Sequence, residues 1–206
     1  MLKEYFLGRN PSHFQVNSLV KSFIISETFL WSAWNFVIPI FAIFAATEIR
    51  GGNVEVAASA YSTYLVVRVI FELLSGSYLS AASDKKKMLV TIAGMVCLST
   101  AYFGFSKTST LFPLYVFYGI AGVGLGISSP AKNSLFSTHL DKNKEPFEWG
   151  MHDAAVFTGM ALAAALGGFI AKEYGFQPLF ILASIVNLIG LIPFILYIRH
   201  MKESQK

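Results

Sequence analysis

The chain has 206 residues, of which 54% are hydrophobic and 14% charged, with 19 phenylalanines and a mean hydropathy of +0.56. A soluble domain carries about a quarter charged residues, and this apolar excess is more than one small core hides, so lipid is the solvent for much of it. The net charge of +4 is no sign of nucleic-acid binding, because the basic residues lie between apolar runs and form no stripe, and the single cysteine, Cys97, excludes an intrachain disulfide.

Residues 1–17 are mixed and polar. They lack the basic patch, short apolar core and small-residue cleavage site of a secretory signal, and read as a cytoplasmic N-terminal segment. Six apolar segments of spanning length follow, at 18–46, 56–82, 88–106, 111–137, 147–171 and 177–198. They predict an all-α transmembrane domain over 18–198, with 199–206 as a cytoplasmic tail. About 20 residues cross the hydrocarbon, so the longer segments must tilt, kink or protrude. The breaks carry turn and charge punctuation: EIRGGNVE, SDKKK, SKTST, DKNKEPFE and YGFQP.

The basic residues orient the spans. Lys3, Arg9, Lys21, Lys85, Lys86, Lys87, Lys142, Lys144, Arg199, Lys202 and Lys206 make eleven on one side, against Arg50, Lys107 and Lys172, three, on the other. The positive-inside bias predicts an integral, multi-pass protein of the plasma (inner) membrane with both termini cytoplasmic.

Polar residues are concentrated in four spans. Span 1 holds Glu27, Trp31, Trp34 and Asn35 at steps that share a face, and span 2 holds Tyr61, Tyr64, Arg68, Glu72 and Ser75 likewise. Span 4 offers Tyr115, Tyr118, Ser129, Lys132 and Asn133, and span 5 begins with Trp149, His152 and Asp153. Spans 3 and 6 have no ionisable residue in their apolar centres and face lipid at little cost, whereas the other four must turn their polar faces from it.

Arg68 and Glu72, at i and i+4, are spaced to pair along their own helix. Even paired they are too costly to face lipid, so they point into a bundle or a wet cavity, as a structural ion pair or as pathway groups that change partners. Glu27 has no partner on its own helix: Lys21, six residues back, is on another face. It must find one on another span, through an ion pair or a structural hydrogen bond, or carry a proton. Counted from the basic side, Glu27, Glu72, Arg68 and Asp153 lie between that edge and the midplane, a layering that suits an ion or proton relay. Lys132 and Asp153 lie shallower, and an interfacial position also suits them. Glycines 119, 122, 124 and 126 of span 4, and Gly159, Ala163, Gly167 and Gly168 of span 5, are spaced for close helix packing. Pro39 and Pro130, about twenty residues into spans 1 and 4, echo one another as two three-helix repeats would.

ELLSGSYLSAASDKKKML, with Gly76, Asp84, Lys85, Lys86 and Lys87, resembles the loop between the second and third helices of the major facilitator superfamily, without its turn glycine and with altered spacing. GISSPAKNSLF and GMALAAALGGFIAKEYGFQPLFIL resemble the fourth and fifth spans of the same family. The whole chain resembles one six-helix half of such a transporter. The resemblance implies that spans 1 and 4 line a central cavity, with Glu27, Trp31, Asn35, Tyr115 and Tyr118 as its residues, and that a second half completes the site. The expected protein is a secondary active transporter of a small solute, a homodimer working by alternating access with protonation of Glu27 or Glu72, or a half that pairs with a second half-transporter chain. The alternative is a non-transporting membrane scaffold or subunit. No enzyme, cofactor, metal or nucleic acid is expected: His152 and Asp153 form an isolated pair, and neighbouring helix positions diverge by about 100°.

Overall fold

A computed structural model describes residues 16–203, with side chains up to Arg199; the expected N-terminal segment with Lys3 and Arg9, the Lys202 side chain and Lys206 lie outside that description. The described residues form helices, joined by turns and one isolated backbone bridge between Arg50 and Thr110.

Span 1 is built in two pieces. Helix α1 (Ser18–Val37) starts at Asn17, whose side chain accepts the Val20 N–H at 2.9 Å, and ends in a 3-10 turn at Ile38–Ile40 before α2 (Phe41–Thr47) resumes. Pro39 explains the break, since it has no N–H to donate and its ring crowds the preceding turn. Spans 2 to 5 are the single helices α3 (Val54–Leu79), α4 (Asp84–Phe105), α5 (Leu111–His139) and α6 (Glu145–Tyr174). Span 6 divides into α7 (Phe176–Ile189) and α8 (Ile192–Glu203). Six stretches, from Ser18–Thr47 to Phe176–Arg199, are long and apolar enough to cross a membrane, and they are the six expected spans.

Two local expectations change. Pro130 sits inside the continuous α5, so the two prolines do not break their spans alike. Asp84 to Lys87 are not loop but the first turn of α4, where the acidic Asp84 suits the positive helix end.

The repeat itself is carried by packing. Span 2 packs on span 4 and span 5 on span 1; span 3 packs on span 4 and span 6 on span 1; spans 3 and 6 pack on each other. Exchanging spans 1, 2 and 3 for 4, 5 and 6 leaves this set of neighbours unchanged, which is a bundle of two three-helix repeats. Matching glycines permit the matching contacts. A Cβ at Gly122 would lie 2.7 Å from the Tyr64 carbonyl oxygen, and one at Gly126 2.8 Å from that of Arg68. On the other side, a Cβ at Gly159 would meet Thr28 and Ser32, and one at Gly167 the Phe36 backbone. Gly119 and Gly168 face open space and make no such contact.

Spans 3 and 6 do not simply face lipid. Buried Asn187 donates to the Met95 carbonyl and to Ser99 Oγ, both at 2.7 Å, and Ser184 Oγ donates to the Ser99 carbonyl at 3.0 Å. A short uncharged polar stripe thus seals these spans together, and it carries no ionisable group to mark it in the sequence. The centres of spans 2 and 5 are the open ones, showing Leu65, Val66, Val69 and Leu73 on one and Phe157, Leu162, Leu166 and Phe169 on the other.

Candidate functional site

Glu27 lies mid-way along α1 and is 4% exposed. Its partner comes from span 4: Lys132 Nζ donates to both carboxylate oxygens, at 2.8 and 3.0 Å, and is itself 2% exposed. Trp31, one turn further along α1, donates its indole N–H to Glu27 Oε2 at 2.9 Å, and its ring lies 5.2 Å from Lys132 Nζ. A buried ion pair persists only when its remaining lone pairs and protons are met by hydrogen bonds, and Trp31 supplies one. Glu27 therefore finds its partner on another span, as the spacing required. Lys132, for which an interfacial position was one expectation, is instead the buried cation of the site, because the face of span 4 that meets span 1, which position along the span does not tell, encloses it.

Arg68 pairs with Glu72 as expected, with Nε to Oε2 at 3.2 Å, and the two side chains are 26% and 38% exposed. The guanidinium also donates to Tyr64 Oη at 2.9 Å and to Ser129 Oγ at 3.4 Å. Ser129 precedes Lys132 by three residues on α5, so the two ion pairs occupy adjacent layers of one polar face. Asn35 turns its amide onto the Trp31 carbonyl at 2.9 Å and borders this face half-buried. Tyr115 shares a 2.5 Å hydrogen bond with Ser59, binding spans 4 and 2 near their other end. Tyr118 is buried against Phe41, at 4.6 Å between ring centroids, and walls an apolar crevice of about 270 Å³ with Ile38, Ala42, Ala57 and Tyr61. The crevice opens where Pro39 breaks span 1.

Asp153 does not join this group. It is 55% exposed and meets only His152, with Nδ1 and Oδ1 3.0 Å apart. The two positions diverge around the helix, and the side chains nonetheless bend together.

The residues of the loop motif form a separate network at the basic end. Asp84 Oδ2 lies 3.2 Å from His139 Nε2, and Asn17 donates to the His139 carbonyl at 2.7 Å and to Asp141 Oδ1 at 3.3 Å. Lys87 is buried and donates to Ser134 Oγ at 2.8 Å, while Lys86 Nζ sits 3.8 Å above the Tyr78 ring. Lys85 is exposed, and Gly76 has only ordinary contact distance to Pro130. These contacts tie the basic ends of spans 1, 3 and 4 and do not reach Glu27.

The family model described as the Major Facilitator Superfamily matches residues 23–206. The chain belongs to the Major Facilitator Superfamily. It is 28% identical over 117 residues to the benzoate transport protein of Acinetobacter baylyi (strain ATCC 33305 / BD413 / ADP1), a match over 57% of this chain and 25% of that protein. Its fold is similar to that of the POT family transporter PepTSo, solved in meso, with a TM-score of 0.72 and 16% identity over 88% of this chain and 37% of the other. The matched regions thus cover 25% and 37% of these two relatives, and the chain corresponds to one six-helix half of the superfamily fold.

Proposed function

We propose that the protein is a secondary transporter of a small organic anion, working by alternating access, with a proton carried on Glu27. The Glu27–Lys132–Trp31 site supports this reading above all, because a buried ion pair at the junction of the two repeats couples charge to helix packing. Protonating Glu27 removes the charge that Lys132 neutralises and leaves a buried cation free for an anionic solute. One proton and one monoanion together load the site without changing its net charge, whereas either alone leaves an uncompensated buried charge. Coupling follows from that neutrality, because only the empty and the doubly loaded forms leave no uncompensated buried charge. Arg68, a quarter exposed on the same polar face, is the cation the solute meets first.

The polar face and the open centres of spans 2 and 5 call for a second six-helix unit, and a second copy of this chain about a two-fold axis is the partner we favour. The basic end lies in the cytoplasm and the host is the plasma membrane in this reading.

Radiolabelled benzoate, the solute named for the Acinetobacter relative, is the first probe. In vesicles holding the purified protein, an acid-outside gradient drives uptake, and Glu27→Gln removes the dependence on the gradient while leaving the folded assembly. Uptake by Glu27→Gln that still follows the proton gradient would end the assignment of Glu27. The mass in detergent, after subtracting the detergent, corresponds to two copies; a single copy redirects the search to a different partner chain.

A further inference from the structure

Span 5 carries two buried titratable groups that the site does not use. Glu148 is fully buried; its Oε2 accepts the Asp141 backbone N–H at 2.9 Å, and its Oε1 has no hydrogen-bond partner among the described residues. His152, one turn further along the helix, is 9% exposed, and its Nε2 is likewise buried and unpartnered among the described residues. Buried polar atoms without partners are rare and each calls for an explanation.

Their position supplies one. The His152 ring sits among Phe23, Phe136 and Trp149, at 5.7, 5.3 and 5.5 Å between centroids. Phe23 precedes Glu27 by four residues on span 1, which runs away from the basic end, and Phe136 follows Lys132 by four on span 4, which runs toward it. His152 therefore lies one helical turn, about 5–6 Å, from the Glu27–Lys132 layer on its basic side. Glu148 lies one turn beyond that, and Asp141 and Lys144 close the series in the loop. Glu148, His152 and Glu27 form a file between spans 1, 4 and 5.

We infer that Glu148 and His152 are the stations of a proton path between the basic end of the bundle and Glu27. The inference rests on the proton-carrying role proposed for Glu27. His152 is prepared for the task by Asp153: Nδ1 within 3.0 Å of a carboxylate carries the hydrogen, so Nε2 is the bare acceptor, and the carboxylate steadies the imidazolium that forms. A proton taken up at Glu148 passes to His152 Nε2 and then to the Glu27 carboxylate, each carrier returning to its starting form; no electrons move. Hops between stations one turn apart require a bridging water for each transfer. The charged and titratable groups around His152 are Glu148 and Asp153 on its own span, Glu27 on span 1, Lys132 and His139 on span 4, and Asp141 and Lys144 in the loop. Span 6 brings the apolar Phe194 against Phe23, with Tyr197 and Arg199 beyond it toward the basic end. Phe23 and Phe136 stack on each other at 4.4 Å beside the His152 ring.

The test follows protonation of the purified full chain in lipid nanodiscs by time-resolved infrared spectroscopy after a drop in pH. The protonated-carboxyl band lost in Glu27→Gln identifies Glu27. Glu148→Gln and His152→Asn each slow the rise of that band about tenfold or more while leaving its final amplitude, a separation of rate from end point that a purely structural defect does not produce. Glu173→Gln, at the far end of span 5, leaves the rate unchanged. If the band rises at the wild-type rate in both span 5 variants, the path is wrong and the role of Glu27 survives. If no such band forms in the wild-type protein, Glu27 takes no proton, and the coupled reading falls together with the path.

Discussion

Two ion pairs, one turn apart on the same polar face, have opposite designs. Glu27 and Lys132 belong to different spans, 105 residues apart, and are almost sealed from solvent. Arg68 and Glu72 belong to one helix and remain 26% and 38% exposed. The first pair depends on tertiary packing, and each partner holds the other's charge in a low-dielectric interior, so loss of either is costly. The second forms wherever α3 forms and is screened by its surroundings, so it contributes little to stability. A sealed pair and a partly exposed pair thus stand side by side on one face.

Removing Lys132 breaks this contrast most severely. Lys132→Met leaves the Glu27 carboxylate buried and unpaired and lowers stability by about 3–5 kcal/mol. Denaturation in detergent measures the loss, and adding Glu27→Gln to the same chain restores most of it, because the stranded charge is gone. A double variant as unstable as Lys132→Met alone would mean that packing of the lysine stem, not charge, is what matters.

Trp31→Phe sharpens the comparison on the buried side. It keeps the aromatic ring beside Lys132 Nζ and removes the indole N–H that reaches Glu27 Oε2. The loss is about 1.5 kcal/mol, the lower range for a hydrogen bond to a charged group, since Lys132 still serves that oxygen. Benzoate uptake by this variant keeps its dependence on the proton gradient with a shifted pH profile.

Glu72→Gln has the smallest effect, below about 1 kcal/mol, because the pair is partly exposed and Arg68 retains Tyr64 and Ser129. Proton-driven uptake persists in Glu72→Gln. Loss of coupling there, with coupling intact in Glu27→Gln, would reverse the roles given to the two pairs.

Much of this was legible along the chain. Span number and the placement of charged residues among spans follow from hydropathy, because lipid forces apolar runs of a set length. The Arg68–Glu72 pair follows from helical spacing, and the lack of a basic residue near Glu27 on its own helix required a partner elsewhere. Lys132 as that partner was not legible: position along a span gives depth only roughly, and no local rule states which face of span 4 meets span 1. The seal between spans 3 and 6 was missed for a related reason. Ser99, Ser184 and Asn187 are uncharged and isolated in sequence, and only packing brings them within hydrogen-bond distance.

The sequence by itself determined that this is a six-span, all-helical membrane protein with charged groups that had to be hidden from lipid, since burial of apolar surface and backbone hydrogen bonding within each helix are local or nearly local. Tertiary structure alone decided that Glu27 meets Lys132, that spans 2 and 5 present the open faces, and that the buried edges of Glu148 and His152 line up behind the pair. Glycines 122 and 126 let span 4 approach span 2, and glycines 159 and 167 let span 5 approach span 1; close approach is a property of two surfaces together.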